Sequence, residues 1–251
     1  MNCPRAVIFD LDDTLAESFK SPGDGMLAKL RQLLDRIPVA IMTGAGFKRM
    51  EAQFLGKITS SAHADRFYVF PNSSAQCYIH EEGSWKLAYN FALSEDERTR
   101  IKATIQKTVQ DNELLRDIPH AGERLFDREA QVAYTPVGVD APLERKQTWD
   151  LTGTKRKLLF DALKTTLPEF EILMGGMTTI DITRKGINKS YGVQWLSGRL
   201  EIPTQEMLYV GDAFHEGGND IVVVPTGIIT RPVSGPSETE KIIDEILTAC
   251  A

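Results

Sequence analysis

The chain has 251 residues, 42% of them hydrophobic, enough to bury one large core or two modest ones, and no apolar run reaches membrane-spanning length. Its net charge of −6 speaks against a nonspecific nucleic-acid or anionic-membrane partner, while a small phosphorylated ligand needs only local positive charge. Three cysteines, Cys3, Cys77 and Cys250, lack CxxC spacing, which predicts neither a disulfide framework nor a zinc site and points to a reducing cytoplasm.

From Met1 to Arg5 the chain runs straight into the strand pattern Ala6-Val7-Ile8-Phe9, so no signal peptide is expected. In chain order, a helix is predicted over 25–36, a strand over 39–42, a helix over 47–55 and a strand over 67–70. That alternation predicts a parallel α/β sheet. Beyond residue 81 the texture changes, with a strand at 85–89, a charged amphipathic helix at 94–110, a strand at 131–134, a helix at 154–167 and a strand at 170–174. This α+β order predicts a domain at 82–185 inserted into a core made of 1–81 and 186–251. The core pattern then resumes, with a helix at 189–200, strands at 207–210 and 221–224, and a closing helix at 239–247.

Asp10-Leu11-Asp12-Asp13-Thr14 follows the first strand directly, so its carboxylates emerge where open α/β sheets place ligands. Asp10 can attack a phosphoryl group once a divalent cation neutralises the mutual repulsion. Asp12, two residues on, can protonate the leaving oxygen and then deprotonate the incoming hydroxyl. The plainer reading is an acidic turn whose side chains bond their own backbone. Thr43, followed by Gly44-Ala45-Gly46, brings a hydroxyl and backbone N–H groups past the second core strand; the pattern suits a phosphate, and taken alone its plainer reading is a helix N-cap.

Gly211-Asp212 and Gly217-Gly218-Asn219-Asp220 furnish a third strand end with oxygen ligands that suit Mg²⁺, Asp212 foremost; otherwise they form a glycine-rich turn around a solvated His215. Lys189 can aim an ammonium at Asp10 and the phosphoryl in transfer, although most lysines at a helix start are simply solvated. Separately each feature is ordinary. Nucleophile, hydroxyl, ammonium and metal carboxylate placed at the ends of one sheet's strands predict an active site.

In Asp10-Leu11-Asp12-Asp13-Thr14, Thr43, Lys189, Gly211-Asp212 and Asn219-Asp220 the chain resembles the haloacid dehalogenase (HAD) superfamily. The position of the insert resembles the large α/β cap of that superfamily's Cof-like subfamily IIB. The stretches 47–56, Tyr68-Val69-Phe70-Pro71-Asn72, Thr135-Pro136-Val137-Gly138, Gly175-Gly176 and Gly217-Gly218-Asn219-Asp220 are similar to the eukaryotic-type phosphomannomutases.

The resemblance implies a Rossmann-like α/β HAD core with a parallel sheet, plus an inserted α+β cap of the C2 type that sets substrate specificity. It implies an aspartyl-phosphate on Asp10, Asp12 as acid and base, and Thr43 and Lys189 as catalytic partners. Mg²⁺ would be held by Asp10, Asp212 and the main-chain carbonyl of Asp12, with Asn219 and Asp220 beside it. Gly44 and the cap residues Arg128, Arg145, Thr179 and Asp181 would bind the substrate, the arginines by their planar fork. The expected partner is a small phosphorylated substrate, a hexose phosphate, with no nucleic acid and no membrane; the setting is cytoplasmic, and a homodimer is compatible with it.

Two departures keep the outcome open. Val139 stands where an arginine is usual, and Gly44-Ala45-Gly46 stands where the phosphomannomutases carry an acidic residue after Gly-Gly-Ser, while Thr43 resembles the general phosphatase motif more than the glycine those enzymes tend to have. A mutase and a sugar-phosphate phosphatase share every core residue. A noncatalytic sugar-phosphate binding protein is the rival from another class.

Overall fold

The computed structural model describes residues 2–251. Its strands, in chain order, are β1 (Ala6–Phe9), β2 (Val39–Met42), β3 (Phe67–Phe70), β4 (Gln76–Glu81), β5 (Ser84–Asn90), β6 (Leu125–Asp127), β7 (Val132–Tyr134), β8 (Phe170–Gly175), β9 (Thr179–Arg184), β10 (Met207–Gly211) and β11 (Ile229–Pro232). The chain divides into two compact units, one formed by 1–90 and 188–251, the other by 91–187.

The first unit holds a seven-stranded sheet in the order β11-β10-β1-β2-β3-β4-β5. Its strands from β11 to β3 are parallel, and β4 and β5 are antiparallel. Because successive side chains point to opposite faces, an all-apolar strand feeds two cores. Val7 and Phe9 of β1 join Val39 and Ile41 on one face, under helices Asp24–Leu34 and Pro236–Ala249, which contribute Leu27, Leu30, Ile242 and Ile246. Ala6 and Ile8 join Ala40 and Met42 on the other, under Val193 and Leu196 of helix Lys189–Leu200.

Register then sets the chemistry. Phe9 pairs with both Val210 and Ile41, so β1, β2 and β10 end level with one another. The residues just past those ends are Asp10, Thr43 and Asp212.

The second unit is an antiparallel sheet, β6-β7-β9-β8, with helices Glu95–Gln110 and Thr154–Thr166 contributing Ile101, Ile105, Leu159 and Leu163 to a separate core. A capping box starts the first helix: Ser94 Oγ accepts from the Glu97 N–H, and Glu97 accepts from the Ser94 N–H.

Three expectations need correction. The strand at 84–90 pairs along its length with β4 in the large sheet, so it belongs to the first unit and the insert starts later than residue 82. Residues 221–224 form part of a 3₁₀ helix, Ile221–Thr226, and the strand comes after it as β11. Pro225 lacks the N–H a ladder needs, and Gly227 turns the chain with φ +79°. Cys3 and Cys250 form a disulfide, with 5.0 Å between their Cα atoms; the fold brings the residues flanking β1 and the last helix together, which spacing alone does not reveal. Among the described residues no helix is long and apolar enough to cross a membrane.

Candidate active site

Asp10 is 4% exposed at the end of β1, fixed by its own N–H donating to the Val210 carbonyl at 2.9 Å. Lys189, at the first position of its helix and 1% exposed, donates from Nζ to Asp10 Oδ1 and to Asp220 Oδ1, both at 2.6 Å. Asp220 is held in turn by the Tyr209 hydroxyl, which donates to Oδ1 at 2.6 Å, and by the Ala213 N–H, which donates to Oδ2 at 3.0 Å. Oxygen atoms of Asp10, Asp212 and Asp220 lie within 4.8 Å of one another.

Three carboxylates therefore face one ammonium. Burial pushes the Asp10 carboxyl well above the usual range; Lys189 pulls it back, and Asp220 and Asp212 push it further up. Asp212 is pushed up to about 6, by burial first and by Asp220 second. Burial works against the Lys189 ammonium, but its two carboxylate partners outweigh that and hold it charged. The surplus negative charge and the all-oxygen donor set fit a hard divalent cation. Thr14 Oγ1 donates to Asp212 Oδ1 at 3.3 Å.

Thr43 is 1% exposed. Its N–H donates to the Phe70 carbonyl at 3.0 Å and its hydroxyl accepts from the Ala45 N–H at 3.0 Å, which leaves the hydroxyl proton to donate elsewhere. Half-buried Gly44 lies between them. The Asn72 and Ser73 N–H groups donate to the Ala45 and Thr43 carbonyls. They do so from three consecutive residues in the left-handed region, Asn72, Ser73 and Ser74, with φ of 54°, 56° and 68°. Such backbone persists only where packing over-determines it.

Asp12 does not join the acidic cluster through its side chain. Arg49, two residues into the helical segment after β2, takes both of its carboxylate oxygens. In the sequence Arg49 falls within the 47–56 stretch with no role of its own. The available signal is that β1 and β2 are neighbours, so a basic residue in the first turn after β2 falls beside the loop after β1. Asn219 is half-buried next to Asp220.

The substrate residues expected in the insert all lie in the second unit. Arg128 donates to Gln131 Oε1 at 2.9 Å and lies over the Phe126 ring. Asp181 is 1% exposed in β9, under the bare face of Gly175, where an added Cβ would come within 2.3 Å of its Oδ2. Thr179 starts the same strand. A missed residue, Arg156, clamps the β8–β9 turn by donating to the carbonyls of Gly175, Met177 and Thr179. Burial lowers its pKa to about 10, against the pull of Asp181 and Asp150.

Arg145 is exposed and lines an open groove of about 570 Å³ with His120 and Trp149. Arg145 lies on helix Leu143–Thr148, whose buried cation is its neighbour Lys146, which donates to the Val139 carbonyl at 2.7 Å.

Residues 26–249 match the family described as eukaryotic phosphomannomutase. The chain belongs to that family. A phosphomannomutase of Spinacia oleracea is 25% identical over 246 residues, 95% of this chain and 94% of the relative. Among solved structures, an IMP-nucleotidase of Plasmodium falciparum superposes with a TM-score of 0.71 at 18% identity, over 98% of this chain and 68% of that one. A haloacid dehalogenase-like hydrolase of Bacteroides thetaiotaomicron superposes at 0.65 and 12% identity, over 97% and 99%. At such identities these two structures speak for the fold, a HAD-type α/β core, and the phosphomannomutase family makes the chain an enzyme of the phosphotransferase or phosphatase kind.

Proposed function

We propose that the protein moves the phosphoryl group of a hexose phosphate through a phosphoaspartate on Asp10, as a mutase. The carrying observation is the buried pair of Lys189 and Asp10, 2.6 Å apart, inside a triad of carboxylates. In this reading Asp10 attacks phosphorus in line, and Lys189 steadies the growing charge on the aspartyl group. The Thr43 hydroxyl and the N–H groups around Gly44 receive the phosphoryl oxygens. Asp12 gives its proton to the leaving sugar oxygen and takes one back from the hydroxyl that attacks next.

Mg²⁺ fits the acidic cluster, where Asp10, Asp212 and the main-chain carbonyl of Asp12 would hold it, with Asn219 and Asp220 behind. It would supply charge neutralisation at the phosphoryl oxygens. Asp220, already accepting from Lys189, Tyr209 and the Ala213 N–H, is better placed to aim the lysine than to ligate. Arg128, Thr179 and Asp181, with Arg145 or its buried neighbour Lys146, would hold the sugar and its distal phosphate.

A second reading, a sugar-phosphate phosphatase, is favoured by Val139, which carries no charge and is 37% exposed where the resemblance to phosphomannomutases leads one to expect an arginine. A weaker grip on a bisphosphate would let water reach the phosphoaspartate before the sugar returns. Incubation with Mg²⁺ and hexose 1- and 6-phosphates, with and without a hexose bisphosphate, separates the two. Fast isomer interconversion with negligible phosphate release supports the mutase, and release that outruns interconversion supports the phosphatase. The Cys3–Cys250 disulfide removes the cysteine argument for a reducing cytoplasm, where such bonds are rare; a bridge that persists in protein drawn from reducing cytosol would restore that compartment to the proposal.

A further inference from the structure

The Asp12 side chain accepts three hydrogen bonds from two groups. Arg49 donates from Nη2 to Oδ1 at 2.8 Å and from Nη1 to Oδ2 at 3.1 Å. The Phe19 N–H donates to Oδ1 at 2.8 Å, and the Arg49 guanidinium lies 5.6 Å from the centroid of the Phe19 ring. The two charged side chains are only 26% and 25% exposed. A carboxylate oxygen offers two acceptor sites, so Oδ1 is filled by two donors while Oδ2, with one, keeps a second site open.

We infer that Arg49 is a positioning residue, whose fork fixes Asp12 so that Oδ2 alone exchanges a proton with the substrate. The inference rests on the phosphoaspartate reading. The terminal torsion of an aspartate is broad and two-fold, so an unheld Asp12 would present either oxygen over a range of angles. A bidentate guanidinium removes that freedom, and an ammonium, a single point charge, does not. In the first half-reaction the proton passes from Asp12 Oδ2 to the bridging oxygen as its bond to phosphorus breaks. In the second, Oδ2 takes a proton from the attacking hydroxyl as the bond between phosphorus and Asp10 breaks.

The test compares leaving groups in single turnovers. A sugar alkoxide needs that proton in order to leave, whereas 4-nitrophenolate leaves without it. Arg49→Met is expected to lose roughly 10- to 100-fold more on a hexose phosphate than on 4-nitrophenyl phosphate, chiefly in the single-turnover rate constant at saturating enzyme rather than in the half-saturation concentration. Arg49→Lys falls between, and serves alone if the methionine variant unfolds. Asp12→Asn should show the same leaving-group pattern, and adding Arg49→Met to it should cost little more, since the two act through one group. Equal losses on both substrates, no loss on either, or losses that multiply in the double variant would overturn the role of Arg49. Asp10→Asn separates the underlying reading: a surviving burst of nitrophenolate in that variant would sink the phosphoaspartate and leave the Arg49 comparison without its premise.

Discussion

Tyr209 donates its hydroxyl to Asp220 Oδ1 at 2.6 Å in a site where both residues are fully buried. The same oxygen accepts from Lys189, so the tyrosine shares in aiming the ammonium at Asp10. Tyr209→Phe keeps the ring and removes one donor from a buried carboxylate. The expected cost is about 1–3 kcal/mol in stability, with a modest drop in turnover, read by denaturant unfolding and steady-state kinetics on the same samples. A variant as stable as the parent would show that the hydroxyl does not hold Asp220.

Lys189 is the only ammonium among the three carboxylates of the described site, of which Asp10 and Asp220 are buried and Asp212 is half-buried. Removing one member of a buried ion pair strands the other, so Lys189→Met should destabilise the metal-free protein by roughly 3–5 kcal/mol and abolish turnover. Adding Asp220→Asn removes one of the stranded charges and should recover part of the stability without restoring activity. Losses in the two variants that add rather than offset would contradict the shared pair.

Asp212 makes the cation dependence of stability pH-sensitive. Its carboxyl titrates at about 6 in the folded protein and at 3.8 in the reference state, because burial and then Asp220 oppose its charge. The folded state therefore holds more protons between about pH 4 and 6, so this group's contribution to stability falls as pH rises through that window and is lowest above it. Mg²⁺ competes with the proton for the same oxygens. The unfolding temperature should gain more from Mg²⁺ at about pH 7.5 than at about pH 5, and Asp212→Asn should lose most of that gain. A gain independent of pH would exclude Asp212 as a ligand.

Site residues that sit directly past a strand are legible in the sequence. Asp10, Thr43 and Asp212 each come within two residues of the last apolar residue of a parallel strand, and the level strand ends bring them to one edge. Lys189 is legible as a helix start, because its side chain points back from the first turn. Contacts that depend on docking are not. Arg49 meets Asp12 across 37 positions through the pairing of β1 with β2, and Cys3 meets Cys250 across 247. Between Arg145 and Lys146 the decision is one of helical phase: neighbours differ by about 100° around the axis, and only Lys146 turns inward. At 221–224 the β-branched run is legible, but its end in Pro225 matters more.

The Cys3–Cys250 disulfide closes a loop of 247 residues, nearly the whole chain. Constraining an unfolded chain that long is worth on the order of 5 kcal/mol in the loop-entropy account, an upper figure since denatured ensembles retain structure. Cys3 is exposed at the surface, so a small reductant can reach it. Cys77, by contrast, is buried, and burial pushes its thiol far from reactivity. A reductant should therefore lower the unfolding temperature of the parent protein and raise its titratable thiols under denaturing conditions from one to three, the chain's full complement. Cys3→Ser should unfold at the reduced protein's temperature with or without the reductant. Cys3 precedes the amino end of β1 and Asp10 follows its carboxyl end, so turnover at about 25 °C should survive reduction while the global stability falls. An unfolding temperature that ignores the reductant, together with three titratable thiols in untreated protein, would show that the bridge does not form in solution.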